Sequence, residues 1–172
     1  LLEAFLRYFT GEVARAEEIY AATDLASLST VDGAWFQLLR ALILNKQEAT
    51  EVANQAFLLA ERLCPTALLR DQFEIIRFRE ELSQGANEES TIMGLRESVR
   101  SMEGERGGFE AARLLAIALH RSGQTTASIE LLSDQLGKPG LSEDGLRSDF
   151  LLLLATISGP DSTRGRLALQ QI

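Results

Sequence analysis

Few residues in this chain have the chemistry for catalysis, and their spacing does not assemble a site. The single histidine, His120, stands near Ser122 and Thr125. Those hydroxyls fall in a turn, and nothing stands at triad or metal-ligand spacing from the imidazole. The acidic pairs Glu80-Glu81 and Glu88-Glu89 offer carboxylates for metal or acid/base work. Adjacent positions on a helix point to different sides, and arginines flank them, so the expected reading is a solvated face. The stretch "GPDSTRG" (159–165) has the glycines of a phosphate-cradling loop, but lacks the lysine after the last glycine and follows an apolar helix instead of a strand. A helix N-terminus capped by Asp161 or Ser162 after a Gly-Pro break accounts for the same residues. The lone Cys64 reads as a buried structural thiol. Neither catalytic residues nor a cofactor or metal site is expected, and the chain reads as non-enzymatic.

The elements that would position these residues are helical. The 172 residues include 45% hydrophobic types, only 3 prolines and 6% aromatics. Leu, Ala, Glu, Arg and Gln dominate, and these lose little rotamer freedom in a helix. An all-α fold with a sizeable core follows. A formal net charge of -8 argues against nucleic acid, whose phosphates call for a basic stripe. The longest apolar run, "FLLLLA" (150–155), suits a buried helix face and is too short to span a bilayer.

Internal periodicity organises the rest. In "FEAARLLAIALHRSGQTTASIELL" (109–132), Leu115, Ala116 and Leu119 share a face and the turn falls at Ser122-Gly123. Ser128 follows the glycine by five positions, Leu132 and Leu136 continue the stripe, and Pro139 lies beyond. The same punctuation appears at Gly11, Ala16 and Tyr20. A fuller copy has Trp35, Leu38, Leu39 and Leu42 in one helix and Ala53, Phe57 and Ala60 in the next, closed by Pro65, with a turn that lacks glycine and reads about two residues longer. The small residues Ala16 and Ala53 are 37 positions apart, as are Ser128 and Gly165, and the gap of 75 between Ala53 and Ser128 leaves room for one more unit, with Gly94 its candidate marker. Five helix pairs result, at about residues 1–28, 33–65, 66–103, 108–139 and 142–172. The glycine cluster in "SMEGERGGFE" (101–110) marks the joint between the third and fourth, as a packed turn more than a loose hinge.

Trp35, Leu38, Ala53, Phe57, Ala60 and Pro65, with partial matches at Gly11/Ala16/Tyr20 and Leu115/Ala116/Leu119/Gly123/Ser128/Leu132, resemble the tetratricopeptide-like helical repeats. The match is degenerate, with Gln135 where a second small residue is usual. The resemblance implies one right-handed solenoid of helical hairpins over residues 1–172, binding a protein partner along a groove of first helices. Groove positions carry over to Phe36 and Arg40 and to Arg113, Ile117, His120 and Arg121. Some of these could instead pair with neighbouring acids, such as Glu110 with Arg113. The implied ligand is an acidic or amphipathic helical segment, drawn to a local basic strip. Glutamate at both Arg113 and Arg121 is then expected to weaken binding while sparing thermal stability.

The expected function is a scaffold or interaction module, with a homo-oligomer or larger assembly possible. The alternative is a helical domain that binds a small ligand or regulates an enzyme. The run "AERLCPTALLRDQFEIIRFREEL" (60–82) also resembles a segment of a bacterial periplasmic motility protein family. The compartment stays open between bacterial periplasm and cytoplasm. Because "LLEAFLRYF" opens the chain without Met, a longer parent is expected, with both ends covered by further residues or another subunit.

Overall fold

In a computed structural model of the chain, which describes residues 1–85, 89–141 and 145–172, ten α-helices follow one another and no strand occurs among the described residues. They are α1 (Leu2–Phe9), α2 (Val13–Ala21), α3 (Thr30–Lys46), α4 (Thr50–Leu63), α5 (Ala67–Ser83), α6 (Glu89–Ser101), α7 (Arg106–Arg121), α8 (Thr125–Leu136), α9 (Gly145–Ser158) and α10 (Thr163–Leu169). The sequence reading treats the chain as one array; packing gathers it into two compact units, Leu1–Arg77 and Phe78–Ile172, that divide within α5.

In the first unit α1 packs on α2, α3 on α4, and α2 and α1 on α3. The centre is α3, whose Leu38, Leu39 and Leu42 are fully buried with Tyr8, Phe57, Ala60 and Phe73. This helix starts where Ser29 accepts the Asp32 amide at 3.1 Å, and Asp32 also places a negative charge in the first turn, where the helix dipole favours it. Trp35 bridges two neighbours through edge-to-face rings, Phe5 at 5.5 Å and Phe73 at 4.6 Å. On α1, Ala4 and Tyr8 face this core, while Leu2, Leu6 and Phe9 form an exposed apolar stripe on the other side.

In the second unit α6 packs on α7, α7 on α8, α8 on α9 and α9 on α10. Its core holds Phe109, Ala112 and Ala116 of α7, Leu132 of α8, and Phe150, Leu151 and Leu154 of α9. The glycine cluster at 101–110 is the packed turn expected of it. Gly104 takes the left-handed conformation, α7 already begins at Arg106, and Gly108 lies so close to the Met102 carbonyl that an added Cβ would meet that oxygen at 2.1 Å. Gly94 is likewise a contact point, since a Cβ there would lie 2.6 Å from the Phe78 ring.

Three turns are built alike. Gly11, Glu48 and Gly123 have φ of 87°, 61° and 82°. The next residue, Glu12, Ala49 or Gln124, caps the second helix with φ near -84° and ψ of 55°, 56° and 50°. In each, that cap residue's amide reaches back five positions, to Arg7, Leu44 or Leu119, at 2.8, 3.0 and 2.8 Å. This is the Schellman arrangement, which satisfies the last carbonyls of the first helix and needs one left-handed residue. Five positions past it comes the buried small residue, Ala16, Ala53 or Ser128. The second turn is therefore no longer than the others, contrary to the sequence reading: Glu48 occupies the glycine position. A side chain in that conformation costs about 1 kcal/mol or more. Glu48→Gly should accordingly stabilise the first unit by about 0.5–1 kcal/mol, read as a raised denaturant midpoint at unchanged slope.

Ala53 is 1% exposed and has no room to grow. Ala53→Leu should destabilise by about 1–3 kcal/mol through overpacking, and an unchanged melting curve would show that α3 and α4 do not cross there. Ser128 fills the same place with a hydroxyl that donates to the Ala116 carbonyl at 2.7 Å, so its polar atom is satisfied inside the helix pair.

Candidate functional site

The residues carried over from the repeat resemblance fall in both units and differ sharply in what they offer. Phe36 is 2% exposed, with its ring stacked on Tyr20 at 4.2 Å. It builds the α2–α3 packing and presents no surface. Arg40, one turn on, is half-buried beside Tyr20. Burial pushes the Tyr20 hydroxyl above its ordinary range, while the Arg40 charge pulls it the other way.

In the second unit Arg113, Ile117, His120 and Arg121 lie along one side of α7, four, three and one positions apart. Arg113 and Ile117 are half-buried, whereas His120 and Arg121 are exposed. The Arg113 Nε is sealed from solvent without a hydrogen-bond partner. Arg121 is not a free cation: its Nη1 donates to the Leu82 carbonyl and so caps the end of α5. His120 places Nδ1 3.1 Å from the Thr125 hydroxyl across the α7–α8 turn, which ties the turn together. Glu110 does not pair with Arg113; its carboxylate lies 3.3 Å from Arg79 and 3.5 Å from Arg106. Charge reversal at Arg113 and Arg121 therefore touches stability as well as surface charge, because it strips α5 of a cap and places a carboxylate where a guanidinium is partly enclosed.

The remaining chemistry-bearing residues serve structure. Glu80 is buried and its carboxylate accepts from the Gln84 amide at 3.1 Å, and Glu81 accepts from the Thr91 hydroxyl at 2.8 Å. Glu81 thus ties α5 to α6 while Glu80 closes the end of α5, and the pair is not the solvated face expected from sequence. Glu88 lies outside the described residues, and Glu89 is exposed in the first turn of α6. No cluster of three or more His, Cys, Asp or Glu side chains able to hold a metal occurs among the described residues. In "GPDSTRG", Ser162 is the cap, accepting the Gly165 amide at 2.9 Å. Gly165 is needed because an added Cβ would meet the Gly159 carbonyl oxygen at 2.1 Å. No helix among the described residues is long and apolar enough to cross a membrane.

Cys64 ends α4 as a buried thiol that donates to the Ala60 carbonyl at 3.3 Å. Burial raises its pKa, with Arg70 opposing and Glu61 adding to the rise. A raised folded pKa favours the neutral thiol, so this group's contribution to stability is full below the unfolded value, about 8.5, and falls as pH rises above it. Thiol-specific reagents at neutral pH should label Cys64 only as fast as the first unit opens, and rapid labelling of the native chain would contradict this burial.

Sequence reasoning passed over one concave feature. A cleft of about 590 Å³ lies between α8, α9 and α10. Leu136, Leu151, Leu154 and Leu167 line it together with Arg147 and Arg164. Arg147 is held by a 3.1 Å hydrogen bond from Nη1 to the Leu136 carbonyl. The only sequence signal was Arg164 in the "GPDSTRG" turn, and its place beside the α8 and α9 residues of the cleft depends on how α10 packs on α9. Compared with known proteins, the chain matches no family model, no curated protein and no solved structure.

Proposed function

We propose that the chain is a non-enzymatic interaction module, its helical hairpins stacked as tetratricopeptide-like repeats and its α7 face engaging a protein partner. The observation that carries this reading is the recurrent hairpin turn, with Gly11, Glu48 and Gly123 in the same left-handed conformation and a buried small residue five positions on. A unit of that kind cannot cover its own apolar stripe and gains stability by packing on its neighbours, which makes extended surfaces suited to holding other chains. On α7 the partly exposed Ile117 lies between Arg113 and the exposed His120 and Arg121, an apolar centre with a basic surround. An acidic or amphipathic helical segment complements that pattern.

The test is capture from the source lysate followed by titration of the recovered protein. Because Arg121 caps α5, the informative variant is Ile117→Asp, which places a charge in the apolar centre of the face. Loss of a stoichiometric partner with retained helicity supports the reading, and unchanged capture moves the interface off α7.

A further inference from the structure

The cleft between α8, α9 and α10 is separate from the α7 face, since none of Arg113, Ile117, His120 and Arg121 lines it. Its composition runs against that of the whole chain. The protein carries 25 acidic and 17 basic residues other than histidine, yet the described residues lining the cleft include Arg147 and Arg164 and no carboxylate. The two arginines share the lining with Leu136, Leu151, Leu154 and Leu167, and Leu167 is 54% exposed on α10. An exposed leucine by itself means little, but one set against Leu136, Leu151 and Leu154 forms continuous apolar lining.

From this we infer that the cleft is a docking groove for a helical segment of another protein that carries leucine-like side chains on one face and carboxylates flanking them. The apolar side chains lie on the leucine lining, and the carboxylates meet Arg147 and Arg164. Arginine suits this task because its guanidinium binds a carboxylate through two parallel hydrogen bonds and keeps its charge. The hydrogen bond from Arg147 to the Leu136 carbonyl fixes that side chain beforehand, so less freedom is lost on binding. A helix is the fitting shape because the groove runs between helices and the described residues include no strand whose edge an extended peptide could join.

The experiment uses the whole chain and two synthetic helical peptides with leucines at i, i+3, i+4 and i+7, one filled with glutamate elsewhere and its twin with lysine. Fluorescence anisotropy of the labelled peptides should show the glutamate peptide binding about tenfold or more tighter than the lysine twin, with the preference shrinking as salt rises. Arg164→Glu, at an exposed position, should abolish or invert that preference. Arg100→Glu makes the same charge change on α6, at a side chain 78% exposed, and should leave it intact. The assignment is overturned if neither peptide binds saturably, if both bind equally, or if Arg100→Glu acts as strongly as Arg164→Glu. Saturable binding of decanoate without peptide binding would give the cleft to a small amphiphile and overturn it as well. Ile117→Asp, assayed in parallel, should not alter the peptide preference, so failure of this groove and failure of the α7 face are told apart.

Discussion

Phe73→Ala should cost the first unit about 3–5 kcal/mol, a large share of the roughly 5–15 kcal/mol that holds an ordinary domain folded. Phe73 is 1% exposed and presents its ring to Trp35 at a centroid distance of 4.6 Å, at an interplanar angle of 66°. Truncation removes the transfer free energy of a whole ring and leaves a cavity that α3 and α5 cannot close without moving Leu38, Leu39 and Leu42, which are themselves fully buried. The edge-to-face contact adds about 0.5–1.5 kcal/mol to that loss. Trp35 is the only tryptophan, so its emission reports the neighbourhood of the substitution directly. The expected result is a red-shifted emission and a lowered denaturant midpoint. A native spectrum and an unchanged midpoint would mean that Phe73 is not part of this core.

Gly108→Ala should destabilise the second unit by about 2–4 kcal/mol, more than helix propensity would suggest. Propensity alone favours alanine over glycine inside a helix by about 1 kcal/mol. Here an added Cβ would stand 2.1 Å from the Met102 carbonyl oxygen and 2.8 Å from its carbon. That obstacle is backbone, held by hydrogen bonds from the Glu105 amide to Met102 and from the Met102 amide to Ser98, so a rotamer change cannot relieve it. The α6–α7 connection must open, and Phe109, 2% exposed in the adjacent position, loses its seat with it. Circular dichroism melts settle the sign: stabilisation would show that propensity outweighs the close approach.

The helices themselves were legible because their causes are local. The breaks read from leucine and alanine spacing fall between helices of the described residues, and α1 on α2, α3 on α4, α7 on α8 and α9 on α10 pack as neighbours. Amphipathic periodicity, Ser29 and Ser162 as caps, and glycines at the ends are short-range signals that no distant contact had to supply. The marker residues were legible for the same reason: Ala16, Ala53 and Ser128 are all buried because a small side chain at that offset from the turn has only one use. The second turn misled because glycine is the usual sign of a left-handed residue and Glu48 carries none, although its backbone adopts the same conformation.

What the amino-acid sequence determined alone was therefore helix content, the place of each break, and the side of each helix that must be covered, since propensity, capping and periodicity act within one or two turns. The tertiary structure decided which of two adjacent side chains meets a neighbour. Phe36 and Trp35 are a hundred degrees apart on α3, and only the positions of α1, α2 and α5 put Phe36 against Tyr20 and Trp35 between Phe5 and Phe73. It also turned Arg121 from a surface cation into the cap of α5, joined Glu81 of α5 to Thr91 of α6, and brought Arg147 and Arg164 to one cleft. Each of these depends on groups at least ten residues apart or on different helices meeting in space, and a one-dimensional pattern carries no term for the angle and distance at which one helix lies against the next.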